Sequence, residues 1–207
     1  MVVVNDSWTQ LRAGGLGRRV SAGESVFVDG DPPRTLVLVA AGLLKVVAVR
    51  PDGSPVTVAL CGAGEVHVGP VTPAAAASSH LVAVVPTDIV IVNAARLGAL
   101  IRRTPSLFLP VLGVAERQLR AAEGRAAELA QLSAPDRVRR TLTMLARRFP
   151  AGRDAVVVLP IRQDELADLS GVSRVVAART LRALRENGCI RTARFRIDLV
   201  HPDRINN

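Results

Sequence analysis

Residues 161–190, IRQDELADLSGVSRVVAARTLRALRENGCI, constrain the fold more than any other part of the chain. Apolar positions recur at helical spacing on either side of Ser170-Gly171-Val172. That pattern predicts a first helix over 163–169, a turn, and a second helix over 173–186 closed by Asn187-Gly188. Ala167 is small where the two helices must cross, and Gly171 allows the turn a left-handed residue. Leu166, Leu169, Val172, Ala177, Leu181 and Leu184 are the expected shared core. The opposite face of the second helix carries Ser173, Arg174, Arg179 and Arg182, whose donors would point outward to phosphates and base edges. Arg174 and Arg179 lie in the half of such a helix that enters a major groove, and Arg179 is expected to read guanine, the commonest partner of arginine there. Arg182 and Arg185 are expected at the surface or on phosphates. Gln163, which opens the first helix, joins the candidate contacts. Segments 190–192 and 194–199 alternate like a small hairpin, a wing that places Arg194 and Arg196 against the DNA backbone.

The charge distribution agrees with a polyanionic partner. Residues 1–100 hold seven basic and seven acidic side chains, whereas residues 101–207 hold twenty basic and eleven acidic, so the whole net charge of +9 lies in the second half. A field of that sign favours a duplex through counterion release, although an arginine-rich solvated surface would produce the same sum.

The rest of the chain divides by period. Between residues 20 and 92, short apolar runs separated by turn residues predict a compact β domain with strands near 25–28, 34–39, 43–49, 56–60, 80–85 and 89–92. Pro51-Asp52-Gly53 is a hairpin turn in which Pro sets φ, Asp bonds back to the chain and Gly accepts a positive φ. The small, uncharged stretch 73–79 reads as a loop or one short helix. From 107 to 132 the steps become three and four. Leu112, Ala115, Leu119, Ala122, Ala126 and Leu129 form a narrow seam suited to a partner helix, the competing reading being a stripe packed on the chain's own β domain. Ser133-Ala134-Pro135 then breaks the pattern as a hinge, with Ser133 capping the helix that Pro135 begins and that runs to about Arg148. A turn at 150–154 and a strand at 156–159 lead into the helical pair.

Several functions are excluded on composition. Cys61 and Cys189 stand in no metal-ligand spacing, so no metal site, iron–sulfur cluster or disulfide framework is expected, and a reducing cytoplasm is the natural compartment. The apolar start at Met1 to Val4 is too short for a signal-peptide core, and no run is long enough to span a bilayer, so no membrane association is expected. His67, His80 and His201 share no catalytic motif, and no enzyme is expected.

The order of β domain, long helix, hinge and winged helix-turn-helix resembles the Crp/Fnr superfamily, most specifically through 163–190 with GVSR at Gly171 to Arg174, and more weakly through AAGLLKV, the PDG hairpin and Gly64-Glu65. The resemblance covers the chain from about Val20 onward. It implies an α+β fold with a cyclic-nucleotide-binding-like β-roll over 1–104, a dimerisation helix and hinge over 105–133, and a winged helix-turn-helix DNA-binding domain over 134–207. It further implies a homodimer acting on a roughly two-fold symmetric operator, with RNA polymerase as a further partner.

The resemblance also shows what this chain lacks. Members that bind cyclic AMP read the ribose with a Glu and the cyclic phosphate with an Arg, where this chain has Gly69 and Ser79, and read adenine from the long helix at the positions of Ala122 and Glu123. The candidate effector pocket, Gly64, Glu65, Gly69, Ser79, His80, Ala122 and Glu123, is therefore degenerate. Cyclic AMP binding in the usual mode is not expected, and no other cofactor is. The β domain is expected either to sense an unidentified small molecule or to hold the dimer in a DNA-competent state without one. Haem on His67 or His80 is one such sensor chemistry, against the commoner fate of a lone histidine as a packed or exposed side chain. In the recognition helix, Val175 stands where the cyclic AMP receptor carries a cytosine-reading Glu, so it can offer only apolar contact, for instance to a thymine methyl. The alternative function from another class is a ligand-binding or interaction module whose winged helix docks a protein.

Overall fold

The computed structural model describes residues 6–26, 35–69, 79–149 and 156–205. The chain forms two compact units, Met1–Glu123 and Gly124–Asn207.

Among the described residues of the first unit, helix α1 (Asp6–Gly14) precedes the strands β1 (Leu16–Val20), β2 (Thr35–Ala41), β3 (Leu43–Val49), β4 (Pro55–Gly62), β5 (Val66–Val68), β6 (Ser79–Ala83) and β7 (Thr87–Asn93). Helices α2 (Ala94–Arg103) and α3 (Phe108–Gln131) follow, α3 continuing into the second unit. All described pairings are antiparallel, in a four-stranded sheet β1-β7-β2-β5 and a three-stranded sheet β4-β3-β6. The near-continuous apolar run of β2 follows from its burial on both faces. Val37 and Val39 join Leu44, Val46, Leu81 and Ile89 in one core, whereas Leu36 and Leu38 join Leu11, Val92, Leu97, Leu107 and Val114 in a second core beneath the helices. The period of two thus assigns alternate residues of one strand to two cores.

The turn at 51–53 forms as expected. Gly53 has φ +82°, its N–H donates to Arg50 O at 2.9 Å, and Asp52 Oδ1 accepts from Ser54 N at 2.9 Å.

Elements α1, β1, β5 and α2 lie outside the expected set. Of the expected strand at 25–28, Ser25 makes an isolated bridge to Val82, and residues 27 and 28 lie outside the described residues, as does all of 73–79 before the backbone of Ser79.

The second unit contains the end of α3, α4 (Ala134–Ala146), β8 (Val157–Leu159), α5 (Gln163–Leu169), α6 (Arg174–Glu186), β9 (Ile190–Ala193) and β10 (Arg196–Leu199), with a sheet in the order β8-β10-β9. Ser133 caps α4 by accepting from Asp136 N at 3.3 Å, but the helix starts at Ala134, one residue before Pro135, and stops at Ala146, short of Arg148. Val138, Leu142 and Leu145 of α4 are fully buried, as are Leu166, Leu181, Leu159 and Ile197. Leu169 and Val172, expected in that core, are only half-buried, because they flank the turn.

Candidate nucleic-acid interface

The turn between α5 and α6 is closed by backbone bonds that Gly171 makes available. With φ +61° it lets its own N–H donate to Asp168 O and the Val172 N–H donate to Ala167 O, both at 3.0 Å. Ser173 then caps α6, its Oγ accepting from Val176 N at 3.3 Å, so this candidate DNA donor also has a structural duty that leaves its hydroxyl proton free. Ala177, Thr180, Leu181 and Leu184 face inward. The other face presents Arg174, Val175, Arg179 and Arg182 to solvent, Val175 with 66% of its surface exposed. Among the described residues neither Arg174 nor Arg179 forms an ion pair or side-chain hydrogen bond, whereas Arg182 lies 3.5 Å from Glu186 and Arg185 donates to Thr192 Oγ1 at 2.9 Å. Both guanidinium groups that lie in the half of the helix expected to enter the groove are therefore free for a ligand.

Gln163 is exposed at the start of α5. In the wing, Arg194 lies over the Phe195 ring, 5.0 Å from its centroid, and Arg196 is held by Asp198 at 2.8 Å. Arg196 is thus partly neutralised and Arg194 is not.

Arg137 was not foreseen as part of this assembly. Its guanidinium donates to Ser170 O at 3.1 Å, Gly171 O at 3.1 Å and Leu132 O at 2.9 Å, tying the hinge to the turn that aims α6. Leu129 adds to the same junction, since a Cβ on Gly171 would come within 2.7 Å of its Cδ2, and Glu128 accepts from Arg140 at 3.2 Å. Nothing in the sequence separates Arg137 from its arginine neighbours, because two of its three acceptors are carbonyls 33 and 34 residues away.

Helix α3 has two stripes. Val114 is buried in the core under the helices, with Leu107 just before the helix and half-buried Val111 beside it. Gln118 continues that stripe, accepting from Val68 N at 3.0 Å and lying 3.3 Å from His67 Nδ1. The seam Leu112, Ala115, Leu119, Ala122, Ala126 and Leu129 is displaced around the helix and exposed, with Leu112 51% and Leu119 60% accessible. Contact with the chain's own β domain therefore uses different residues from the seam. An apolar cleft of about 340 Å³ opens beside it, walled by Val68, Leu97, Ile101, Phe108, Leu112 and Ala115.

Of the residues expected in the effector pocket, Gly64 and Glu65 serve the turn before β5: the Gly64 N–H donates to Val39 O at 2.9 Å, and Glu65 Oε2 accepts from Gly62 N at 2.8 Å. His80, Ala122 and Glu123 are exposed; Gly69 is the last described residue before 70–78, and the side chain of Ser79 is not among those described. Burial lowers the pKa of His67, favouring its neutral form. Among the described residues no group of three or more His, Cys, Asp or Glu could hold a metal ion, and no helix is long and apolar enough to cross a membrane.

Residues 17–104 match the cyclic nucleotide-binding domain and residues 136–207 the Crp-like helix-turn-helix domain. The chain is 32% identical over 171 residues to the cyclic AMP receptor protein of Thermus thermophilus, covering 82% of this chain and 76% of that protein. The chain belongs to the Crp/Fnr superfamily of transcription regulators. It is 29% identical over 178 residues to a CRP-like cAMP-activated global transcriptional regulator of Mycobacterium tuberculosis, covering 82% of this chain and 77% of that one. The structure of FixK2 from Bradyrhizobium japonicum shares its fold, with a TM-score of 0.77 at 18% identity over 93% of this chain and 96% of that one. As a Crp/Fnr regulator the chain is a DNA-binding protein of transcription control and not an enzyme. Its α+β architecture is the expected one, a β domain of the cyclic-nucleotide-binding type joined by a long helix to a winged helix-turn-helix.

Proposed function

We propose that this Crp/Fnr regulator acts in the cytoplasm as a homodimer that places two copies of α6 in successive major grooves about 34 Å apart on a two-fold symmetric operator. The observation that carries this reading is the pair of unengaged guanidinium groups, Arg174 and Arg179, on the exposed face of α6. Arg179 reads guanine and Val175 contacts an apolar base edge. Gln163, Ser173, Arg182, Arg194 and Arg196 hold phosphates and set the register. The seam of α3 is the dimer contact, and a second copy laid along it would also cover the apolar cleft. Residues 1–104 act as the effector-like domain, 105–133 as dimer helix and hinge, and 134–207 as the DNA reader, with RNA polymerase a further partner.

The β domain does not respond to cyclic AMP in the usual mode. Gly69 and Ser79 offer neither the carboxylate nor the guanidinium that this ligand requires, and forgoing a charge-assisted phosphate pair costs about 2–5 kcal/mol by analogy with truncated buried pairs. Isothermal calorimetry with cyclic AMP and cyclic GMP tests this, no heat of binding being expected and tight binding contradicting it. For DNA, affinity for a genome-selected site should fall steeply with salt, and Arg179→Ala should erase sequence preference while retaining non-specific binding. An Arg179→Ala protein with unaltered preference would remove the assignment.

A further inference from the structure

The turn joining β9 to β10 consists of Arg194 and Phe195, since Ala193 and Arg196 are already paired across the hairpin. Phe195 has φ +65°, the one non-glycine residue with a positive φ among the described residues. Glycine or asparagine is the ordinary occupant of such a position, because any larger side chain crowds its own backbone there. A phenylalanine that offset this strain by filling a core would need no further account, but Phe195 is 55% exposed and its ring is stacked with the neighbouring Arg194 guanidinium, 5.0 Å away. The chain has four phenylalanines in 207 residues, and one of them occupies a strained, solvent-facing wing tip where the fold gains little from it. Backbone strain that the surrounding packing does not require is characteristic of functional positions.

We infer that Phe195 is a DNA-contacting residue, its ring packing against the deoxyribose edge of the groove next to the one that α6 enters. Three features favour a duplex as occupant over an apolar protein surface. The ring lies against the Arg194 guanidinium, which has no acidic partner among the described residues, so it reaches any partner together with positive charge. Its hairpin is tied to the end of the recognition helix by the Arg185–Thr192 hydrogen bond, which fixes the wing relative to α6. The guanidinium over the ring is positioned to meet a phosphate while the ring meets the adjoining sugar, a division of labour that aromatic and arginine side chains support on nucleic acids. This inference rests on α6 being the DNA reader.

Affinity for the selected duplex at several salt concentrations, paired with thermal unfolding, tests it on the full-length protein. Phe195→Gly relieves the positive-φ strain, so its Tm should equal or exceed that of the parent while its DNA affinity falls about tenfold. It removes no charge, so the slope of log K against log salt should stay unchanged, whereas Arg194→Ala should reduce that slope by about one phosphate contact per chain. Phe195→Tyr, which keeps the ring, should retain most of the affinity. Undiminished binding by a well-folded Phe195→Gly protein would overturn the inference, and so would a loss accompanied by a shallower salt slope, which would trace the effect to guanidinium placement. An Arg179→Ala protein measured alongside separates the two levels: if it too keeps its sequence preference, the reading of α6 fails; if it loses that preference while Phe195→Gly binds normally, only the wing-tip contact fails.

Discussion

Replacing Arg137 by alanine should loosen the aim of the recognition helix. Its guanidinium supplies three hydrogen bonds at 2.9–3.1 Å, to Leu132 O in the hinge and to Ser170 O and Gly171 O in the turn. Gly171 is exposed, so water can replace the bond to its carbonyl at little cost. Ser170 is 4% exposed, so its carbonyl would be left largely unsatisfied, at about 1–3 kcal/mol. Leu132 is half-buried and adds about 1 kcal/mol. The expected loss is about 2–4 kcal/mol, or a fall on the order of 10 °C or more in the Tm of a unit this size. Calorimetric unfolding reads the total, and hydrogen exchange locates it: amides of the 170–172 turn and the first turn of α6 should lose protection, while those of β2 and β7 should not. Arg137→Lys, with one ammonium for three divergent acceptors, should recover less than half. A loss below about 0.5 kcal/mol, or unchanged exchange in the turn, would refute the claim that this side chain holds the reading head in place.

Three further outcomes follow from the same geometry. Leu119→Asp, at an exposed seam position that the isolated chain does not need for its core, should leave thermal stability of the monomer nearly unchanged. It should weaken self-association by about 3–6 kcal/mol, from two leucines at about 1.5–3 each, and sedimentation equilibrium would show a dimer at all concentrations if the seam were not the interface. Gly171→Ala forces a left-handed alanine and brings its Cβ to 2.7 Å from Leu129 Cδ2, so urea unfolding should register a loss of about 1–3 kcal/mol; no loss would contradict the tight turn. Burial lowers the pKa of His67 in the folded chain, so the unfolded chain binds more protons once the pH drops through the ordinary histidine value of 6.5. Stability should therefore decline from pH 7 towards pH 5, and His67→Gln should flatten that slope in urea titrations; an equal slope in both proteins would reject the assignment.

Legibility in the sequence tracked how locally each element is specified. The pair α5 and α6 could be read almost residue by residue, because its helical spacing, the left-handed glycine and the serine cap are all written within one short window. The turn at 51–53 was legible for the same reason. Helix α1 was not: its nine residues, DSWTQLRAG, hold too few apolar side chains to print a helical period. Strand β5 is three residues long, and in α2 only Leu97 is fully covered. The two stripes of α3 overlap in sequence, and only the β domain beneath the helix shows which stripe the chain itself uses. Arg137 and Phe195 lie further out of reach. One owes its role to carbonyls distant in sequence, and the other to a backbone angle that glycine would ordinarily supply.

The most direct test is a hydroxyl-radical footprint of the protein on a duplex carrying its selected site, with chain stoichiometry measured on the same complex. Two protected patches centred about 34 Å apart, bound by two chains and lost together in Arg179→Ala, are the predicted result. A single protected patch, or one chain per duplex at saturation, would contradict a two-fold assembly reading DNA through paired recognition helices.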